Sequence, residues 1–199
     1  MDYHGPFPCL VAVICAMAEF DTDACVGFVA RSPAAVAAHD KAAWLDLFAR
    51  YNIVEDPVGS RPHLSGVYDR RSRRRGSGPL SRFWDTFIAR NRIRFQVEQD
   101  FVGGLNVVRD LTIEITMAPG VVVSTPMHLL YTLQVEEGEL KIFRLAAHWE
   151  LAPMLRQQVG LDTARLSAGL AAAWRMLRYL GPTGLFGFST ALFSIGKKG

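Results

Sequence analysis

Residues 51–60 read Tyr51-Asn52-Ile53-Val54-Glu55-Asp56-Pro57-Val58-Gly59-Ser60. The first half predicts a short apolar strand that ends at Glu55, and Pro57 with Gly59 then stops the strand at once. An acid at such a strand end can be held at the mouth of an apolar pocket. Burial there would raise the pKa of Asp56 and allow it to act as a base. The alternative is a turn carboxylate that accepts backbone N–H bonds.

The bulk composition indicates a globular protein of modest size. A chain of 199 residues suits one domain with an extension, or at most two small domains. Hydrophobic residues make up 50% of it, which is enough for a substantial core. The formal net charge of +3 is mild and does not by itself indicate a nucleic-acid binder.

The three cysteines, Cys9, Cys15 and Cys25, lie close together near the start of the chain. An odd, clustered set argues against a disulfide framework and fits a reducing cytoplasm. No CxxC spacing is present, so the sequence gives no sign of a zinc site.

Residues 1–27 show no clean period, and we assign them to a leader of uncertain structure. The segment from Cys9 to Ala18 is apolar like the centre of a signal peptide, but Asp2 and His4 precede it instead of Lys or Arg. We therefore expect no cleaved signal, and a cytoplasmic protein.

Two helical regions are predicted, one before and one after the short strand that ends at Glu55. Apolar residues between Ala34 and Arg50 have helical spacing, with Ser32 as the expected N-cap, Pro33 in the first turn and a break near Asp40. The second helix opens at residue 79. Its apolar positions fall at i, i+3, i+4, i+7 and i+8, namely Leu80, Phe83, Trp84, Phe87 and Ile88.

From residue 92 onward the apolar period changes to two, which is typical of strands. Alternation over 92–98 and 110–117 is followed by a turn, a long strand to Val135, a hairpin turn and a last strand that ends at Trp149. The order of elements predicts an α+β fold in which helices cover one face of a curved antiparallel sheet.

The order of elements and four motifs resemble the NTF2-like cone, which ketosteroid isomerases, SnoaL-type polyketide cyclases and limonene epoxide hydrolases share. The resemblance covers about residues 28–152, followed by an amphipathic helical tail over 153–199. The motifs that carry it are Leu47-Phe48-Ala49, the Val54–Ser60 run, Arg82-Phe83-Trp84 and Pro126-Met127-His128.

In ketosteroid isomerases the Asp of a Glu-Asp-Pro-Val-Gly run is the general base, so the resemblance implies this role for Asp56. The base would take a proton from the carbon alpha to a ketone and return it two carbons away. A donor in an apolar site would stabilise the dienolate oxygen. The resemblance implies that no cofactor is needed, and that the chain pairs through its sheet as a homodimer.

The remaining site residues also follow from the resemblance. Ser32 falls where the family has its oxyanion tyrosine, and His128 falls where the family has a protonated acid. A neutral imidazole can donate to an oxyanion, so His128 is the expected donor; the alternative is a core histidine bonded to a neighbour. Trp84, Trp149 and Leu130 are assigned with Ser32 to the substrate pocket, and ordinary core packing is the alternative for both tryptophans.

Two segments outside the cone carry positive charge. The run from Arg70 to Arg75 contains five Arg in six residues, which indicates either a solvated loop or a clamp for an anionic partner. Interleaved aromatic residues are missing, so nucleic acid is a weak candidate. In the tail, Trp174 lies in a helical stripe beside several Arg residues. This stripe is compatible with docking on protein or with peripheral membrane contact.

The leading hypothesis is a ketosteroid-isomerase-like enzyme that acts on a hydrophobic, polycyclic ketone of steroid or polyketide type. One alternative is a non-catalytic scaffold or binding protein for hydrophobic ligands. Another is a SnoaL-like cyclase or an epoxide hydrolase. The limonene epoxide hydrolases of the family that the sequence resembles activate water with an Asp-Arg-Asp group, a Tyr and an Asn.

Overall fold

The computed structural model describes residues 20–59, 62–65, 78–118 and 121–149. Most of the leader, the Arg-rich run and the C-terminal tail lie outside these residues, and the predictions made for those segments stay predictions. Within the described ranges, no helix is long and apolar enough to cross a bilayer.

Within the described residues, three helical segments come before the antiparallel meander, whose first strand begins at Arg92. They are α1 (Thr22–Ala37), α2 (Lys41–Asp46) and α3 (Pro79–Phe83), the last of which continues as a π-helical turn over Trp84–Ile88. The carboxylate of Asp40 accepts from the Ala43 amide at 2.9 Å and caps α2, so the predicted break near Asp40 is confirmed. Pro79 starts α3, as the sequence predicted.

The start of α1 differs from the prediction. Asp21, not Ser32, is the N-cap, and its carboxylate accepts from the Ala24 amide at 2.8 Å. Pro33 lies inside the helix, although Ser-Pro pairs are typical of helix starts. The helix therefore begins before residue 28, where the sequence had placed the start of the domain, and Ser32 becomes a buried residue within the helix.

A six-stranded sheet packs against the helices in the order β2-β1-β6-β5-β4-β3. Its strands are β1 (Phe48–Glu55), β2 (His63–Ser65), β3 (Arg92–Gly103), β4 (Asn106–Ala118), β5 (Val121–Glu136) and β6 (Glu139–Trp149). Strands β3 to β6 form the predicted antiparallel meander. However, β1 pairs with β6 in parallel, so the sheet is mixed. No local pattern in the sequence specifies the pairing of strands so far apart.

The central strands separate two environments, because successive side chains of a strand point to opposite faces. On β4 and β5 the apolar odd-numbered residues from Val107 to Ile115 and from Val123 to Leu133 are buried in one cluster with apolar residues of α1, such as Phe28 and Val29. We call this side the helix face. The even-numbered residues of the two strands lie on the opposite side, which we call the outer face. This division decides which polar groups can meet in the interior.

An aromatic cluster joins the helices to β1. Trp44 of α2 is 1% exposed, and its ring centroid lies 4.6 Å from that of Phe48, 5.5 Å from that of Trp84 and 6.1 Å from that of Phe83. The indole Nε1 of Trp44 donates to Ser32 Oγ at 3.2 Å. Trp44 thereby links α1, α2, α3 and β1 in one packed unit.

We expect Trp44→Ala to lower the free energy of unfolding by about 4 kcal/mol, because it empties the centre of this cluster. Chemical denaturation followed by far-UV circular dichroism would measure the change. Val122→Thr is the control, since Val122 is 57% exposed and the change should stay within about 0.5 kcal/mol. Equal denaturation midpoints for the two variants would be incompatible with this core.

Candidate active site

Asp56 lies directly after β1, in a turn that is fastened to β6. The amide of Val58 donates to the Ala147 carbonyl at 2.9 Å, and the Asp56–Pro57 peptide bond is cis. Gly59 has a φ of +92°, a conformation that glycine adopts without strain. The carboxylate Oδ1 of Asp56 accepts a hydrogen bond from Trp149 Nε1 at 2.8 Å.

This hydrogen bond brings Asp56 to the helix face. Trp149 lies opposite Met127 in the β5–β6 register, and opposite residues of an antiparallel pair share a face. Met127 is buried with the core, and Trp149 packs against the same core. The acid therefore lies at the edge of the apolar interior.

The surroundings of Asp56 favour its protonated form. Burial raises the pKa of Asp56 to about 6, and the hydrogen bond from Trp149 offsets part of that rise. No cation lies in ion-pair contact with Asp56 among the described residues. Such a carboxylate is largely ionised at neutral pH and can accept a proton with little penalty.

The neighbouring acid, Glu55, has a different environment. Glu55 lies opposite Ala146 in the parallel β1–β6 pair, and its Oε2 accepts from Arg144 Nε at 2.8 Å. The guanidinium neutralises this carboxylate. Two adjacent acids thus have different environments: Glu55 forms an ion pair, and Asp56 is a half-buried carboxylate with a hydrogen bond from Trp149.

The structure separates His128 from Asp56. His128 lies opposite Asp110 and His148 in the sheet register, on the outer face. Its side chain is 61% exposed, and its Nδ1 lies 3.1 Å from Asp110 Oδ1. The expectation that His128 and Asp56 reach one ligand is therefore corrected, because the two side chains emerge on opposite sides of the sheet.

Leu130 needs the same correction. It lies on the outer face opposite Ala146, whereas its neighbours Leu129 and Tyr131 are buried on the helix face. The sequence analysis took both faces of β5 to be buried. Among the described residues, the helices cover the odd-numbered face of β5.

Ser32 and Trp84 are buried, and within the described residues no hydrogen bond joins either of them to Asp56. Ser32 accepts from Trp44 and also hydrogen-bonds the hydroxyl of Tyr131. Trp84 is buried against Trp44, in agreement with the core-packing alternative. Of the predicted site residues, all within the described ranges, Trp149 is the one hydrogen-bonded to Asp56.

Three polar residues of the helix face were missed by the sequence analysis. Arg109 of β4 is 3% exposed and forms a two-point ion pair with Asp100 of β3, with Nε–Oδ1 and Nη2–Oδ2 distances of 2.8 Å. Tyr131 of β5 is 1% exposed beside them. A signal for two of them was present, because Arg109 and Tyr131 fall on odd positions that are otherwise largely apolar.

Comparison with family models and with curated proteins finds no match. Solved structures do match. Delta 5-3-ketosteroid isomerase from Mycobacterium sp. is 27% identical, with a TM-score of 0.50 over 65% of this chain and 95% of that chain. RV0760c from Mycobacterium tuberculosis, solved with estradiol-17beta-hemisuccinate, is 22% identical, with a TM-score of 0.52 over 64% and 95%. The epoxide hydrolase/cyclase-like enzyme SalBIII is 20% identical, with a TM-score of 0.54 over 67% and 95%.

The fold is therefore an α+β cone, with helices against one face of a curved, mixed six-stranded sheet. More specifically, it is the NTF2-like fold, as the Glu-Asp-Pro-Val-Gly run implied. The similar structures include enzymes of different activities, so at this identity the comparisons support an enzymatic or ligand-binding protein and no single reaction.

The raised pKa of Asp56 predicts an unusual pH dependence of stability. Its pKa is about 6 in the folded protein, against an ordinary value of 3.8, so the folded protein keeps a proton that the unfolded chain releases. Stability is therefore lost as the pH rises from about 4 to 6. The side chain introduced by Asp56→Asn cannot ionise. We therefore expect the free energy of unfolding of the variant, relative to that of the wild type, to be about 2 kcal/mol higher at pH 8 than at pH 4.

Denaturant unfolding of both proteins between pH 4 and pH 8 would measure this gain. Glu55→Gln is the matched control, because it removes the adjacent carboxylate but breaks the pair with Arg144. At pH 8, Glu55→Gln should lower the free energy of unfolding, whereas Asp56→Asn should raise it. Parallel pH profiles for the wild type and Asp56→Asn would rule out a raised pKa at Asp56.

Proposed function

We propose that this protein is a ketosteroid-isomerase-like enzyme that moves a proton, and with it a double bond, within a hydrophobic polycyclic ketone. The observation that carries the proposal is the state of Asp56. It is a half-buried carboxylate with a pKa of about 6, held by Trp149 at the edge of an apolar interior. A base with these properties suits the removal of a weakly acidic C–H proton at neutral pH.

In the proposed mechanism, Asp56 removes the proton from the carbon alpha to the ketone. The C–H electron pair moves into the ring system, and the carbonyl oxygen gains negative charge as a dienolate. Asp56 then returns the same proton to the carbon two positions away, so the reaction is balanced without a co-reactant. The hydrogen bond from Trp149 holds Oδ1 and leaves Oδ2 to carry the proton.

The substrate class is supported by the lining of the helix face and by the similar structures. Val54, Leu111, Met127 and Leu129 present apolar side chains to this interior. One similar protein was solved with a steroid ester, and another is a ketosteroid isomerase. A flat, largely apolar ring system is the ligand that these features share.

The epoxide hydrolase alternative has less support. That reaction uses an Asp-Arg-Asp group in the family that the sequence resembles. Arg109 has Asp100 as a partner, but no hydrogen bond or ion pair joins Arg109 to Asp56 within the described part of the chain. The structure thus offers one half of that group.

We expect the wild type to convert 5-androstene-3,17-dione to the conjugated enone, which is followed by its ultraviolet absorbance. Asp56→Asn should lower kcat by roughly 10²- to 10⁴-fold, because a positioned base contributes about that much. The kcat/KM of the wild type should fall below a pH of about 6, where Asp56 becomes protonated. Glu55→Gln should keep kcat within a few-fold.

Unchanged turnover in Asp56→Asn would disprove the base assignment. Tight steroid binding by a wild type that shows no turnover would instead favour the ligand-binding alternative. Quenching of tryptophan fluorescence offers a direct binding signal, since Trp149 lies next to the proposed base.

We also propose that the protein pairs as a homodimer through the outer face. An apolar row crosses this face in register, formed by Phe101, Val108, Leu130 and Ala146. Phe101 is 54% exposed, and the flanking His128 is also exposed. A partner that covers this row would remove apolar surface from water.

Sedimentation equilibrium of the wild type should give twice the chain mass, and Phe101→Glu should shift the protein toward monomer by placing a charge in the apolar row. Val122→Thr, a conservative change on the same face but away from the row, should remain dimeric. A wild type that is monomeric at tens of micromolar would refute the dimer.

A further inference from the structure

The proposed base accounts for only half of the chemistry. Proton removal places negative charge on the carbonyl oxygen, and a pre-positioned donor at that oxygen is commonly the largest single contribution to catalysis. His128 was the expected donor, but it lies on the outer face. The donor must therefore come from the helix face, where Asp56 lies.

Buried polar side chains of β4 and β5 on the helix face are Arg109, Thr125 and Tyr131. Arg109 is already held by Asp100 through two short hydrogen bonds. The hydroxyl of Thr125 donates to the Pro126 carbonyl at 3.5 Å. Tyr131 is left as the candidate donor on these two strands.

A chain of hydrogen bonds fixes the direction of the Tyr131 hydroxyl. An indole N–H can only donate, so Ser32 Oγ is the acceptor in its 3.2 Å contact with Trp44 Nε1. The hydrogen bond with Ser32 lowers the pKa of Tyr131, which is the effect of a serine hydroxyl that donates to the phenol oxygen. Tyr131 consequently keeps its own O–H proton for another acceptor, and none is present among the described residues.

The charge state of Tyr131 suits this role. Burial raises the pKa of Tyr131 to about 12, although Ser32 and Arg109 both lower it. The hydroxyl is therefore protonated at neutral pH and can donate. The nearby Arg109 charge favours negative charge on or next to the phenol oxygen.

Tyr131 and Asp56 approach the same interior from two strands. Tyr131 lies opposite Leu145 of β6, and Leu145 lies opposite Val54 of β1. Two strand spacings separate Tyr131 from Val54, about 10 Å. Asp56 follows Val54 by two residues, so the acid and the hydroxyl lie on one face of the sheet, at a separation on the scale of a fused ring system.

We propose that Tyr131 donates its hydroxyl hydrogen bond to the carbonyl oxygen of the ketone whose proton Asp56 removes, an inference that rests on the proposed isomerisation. As the C–H electron pair moves into the ring system, the charge that develops on that oxygen is held by Tyr131. Ser32, at the position where the resemblance implies a tyrosine, and Trp44 orient the phenol. The tyrosine is supplied by β5 in place of α1.

Tyr131→Phe tests this donor because it removes one oxygen and keeps the ring. We expect kcat on 5-androstene-3,17-dione to fall roughly 10²- to 10³-fold, with KM changed only a few-fold. Estradiol-17beta-hemisuccinate, whose phenol oxygen can replace the dienolate oxygen, should bind roughly tenfold more weakly, as fluorescence titration would show. Tyr51→Phe is the matched control, since Tyr51 is exposed on β1 and both readouts should stay unchanged.

Ser32→Ala provides a second variant that keeps the tyrosine. It breaks the relay from Trp44, so kcat should fall about tenfold with KM unchanged. If Tyr131→Phe does not fold, Ser32→Ala still tests whether Tyr131 donates to the ketone oxygen.

The binding measurement distinguishes the proposed isomerisation from the proposed role of Tyr131 as hydrogen-bond donor. A wild type that binds the steroid ester but isomerises nothing removes the proposed reaction, and weaker binding by Tyr131→Phe would still support the donor. Equal binding and equal kcat for the wild type and a folded Tyr131→Phe would overturn the inference. A wild type that neither binds nor isomerises would overturn both proposals.

Discussion

The parallel pairing of β1 with β6 is the contact on which the candidate site depends. It places Glu55 opposite Ala146, and the turn after β1 then brings Asp56 to Trp149. A shift of one residue in this register would reverse the faces of every side chain on β1. Glu55 would then face the apolar interior, and Asp56 would lie near Arg144. The register of one strand pair thus determines which acid is neutralised and which acid keeps a raised pKa.

The rest of the core offsets the energetic cost of this arrangement. A carboxylate without a cation partner is costly to bury, and the cost rises as the group ionises. The other buried charge, Arg109, adds little further strain because Asp100 satisfies it at two points. The aromatic cluster around Trp44 supplies apolar burial on the same side of the sheet. The apolar burial that offsets the cost therefore lies on the same side of the sheet as Asp56.

Local patterns in the sequence predicted the meander, the helix that begins at Pro79 and the acid at the end of β1. They could not predict the face of His128, because Met127, Leu129 and Leu130 are all apolar and leave the phase of the strand ambiguous. Ser32 was assigned to a helix start because the Ser-Pro pair has that preference, while tertiary packing extended the helix to Asp21. The contacts of Asp56 with Trp149 and of Arg109 with Asp100 depend on strand register, which no short motif encodes.

A proton-transfer site needs its base and its donor at a fixed separation, since an error of about 1 Å is costly. In the proposed mechanism both groups belong to one sheet: Asp56 follows β1, Tyr131 lies on β5, and β6 hydrogen-bonds to both strands. Their separation is then set by backbone ladders and not by the packing of a helix on the sheet. The helices contribute orientation, through the Trp44–Ser32 contact that directs the phenol. A donor carried by α1 would instead move with every adjustment of that helix, so its placement on β5 favours a constant distance to the base.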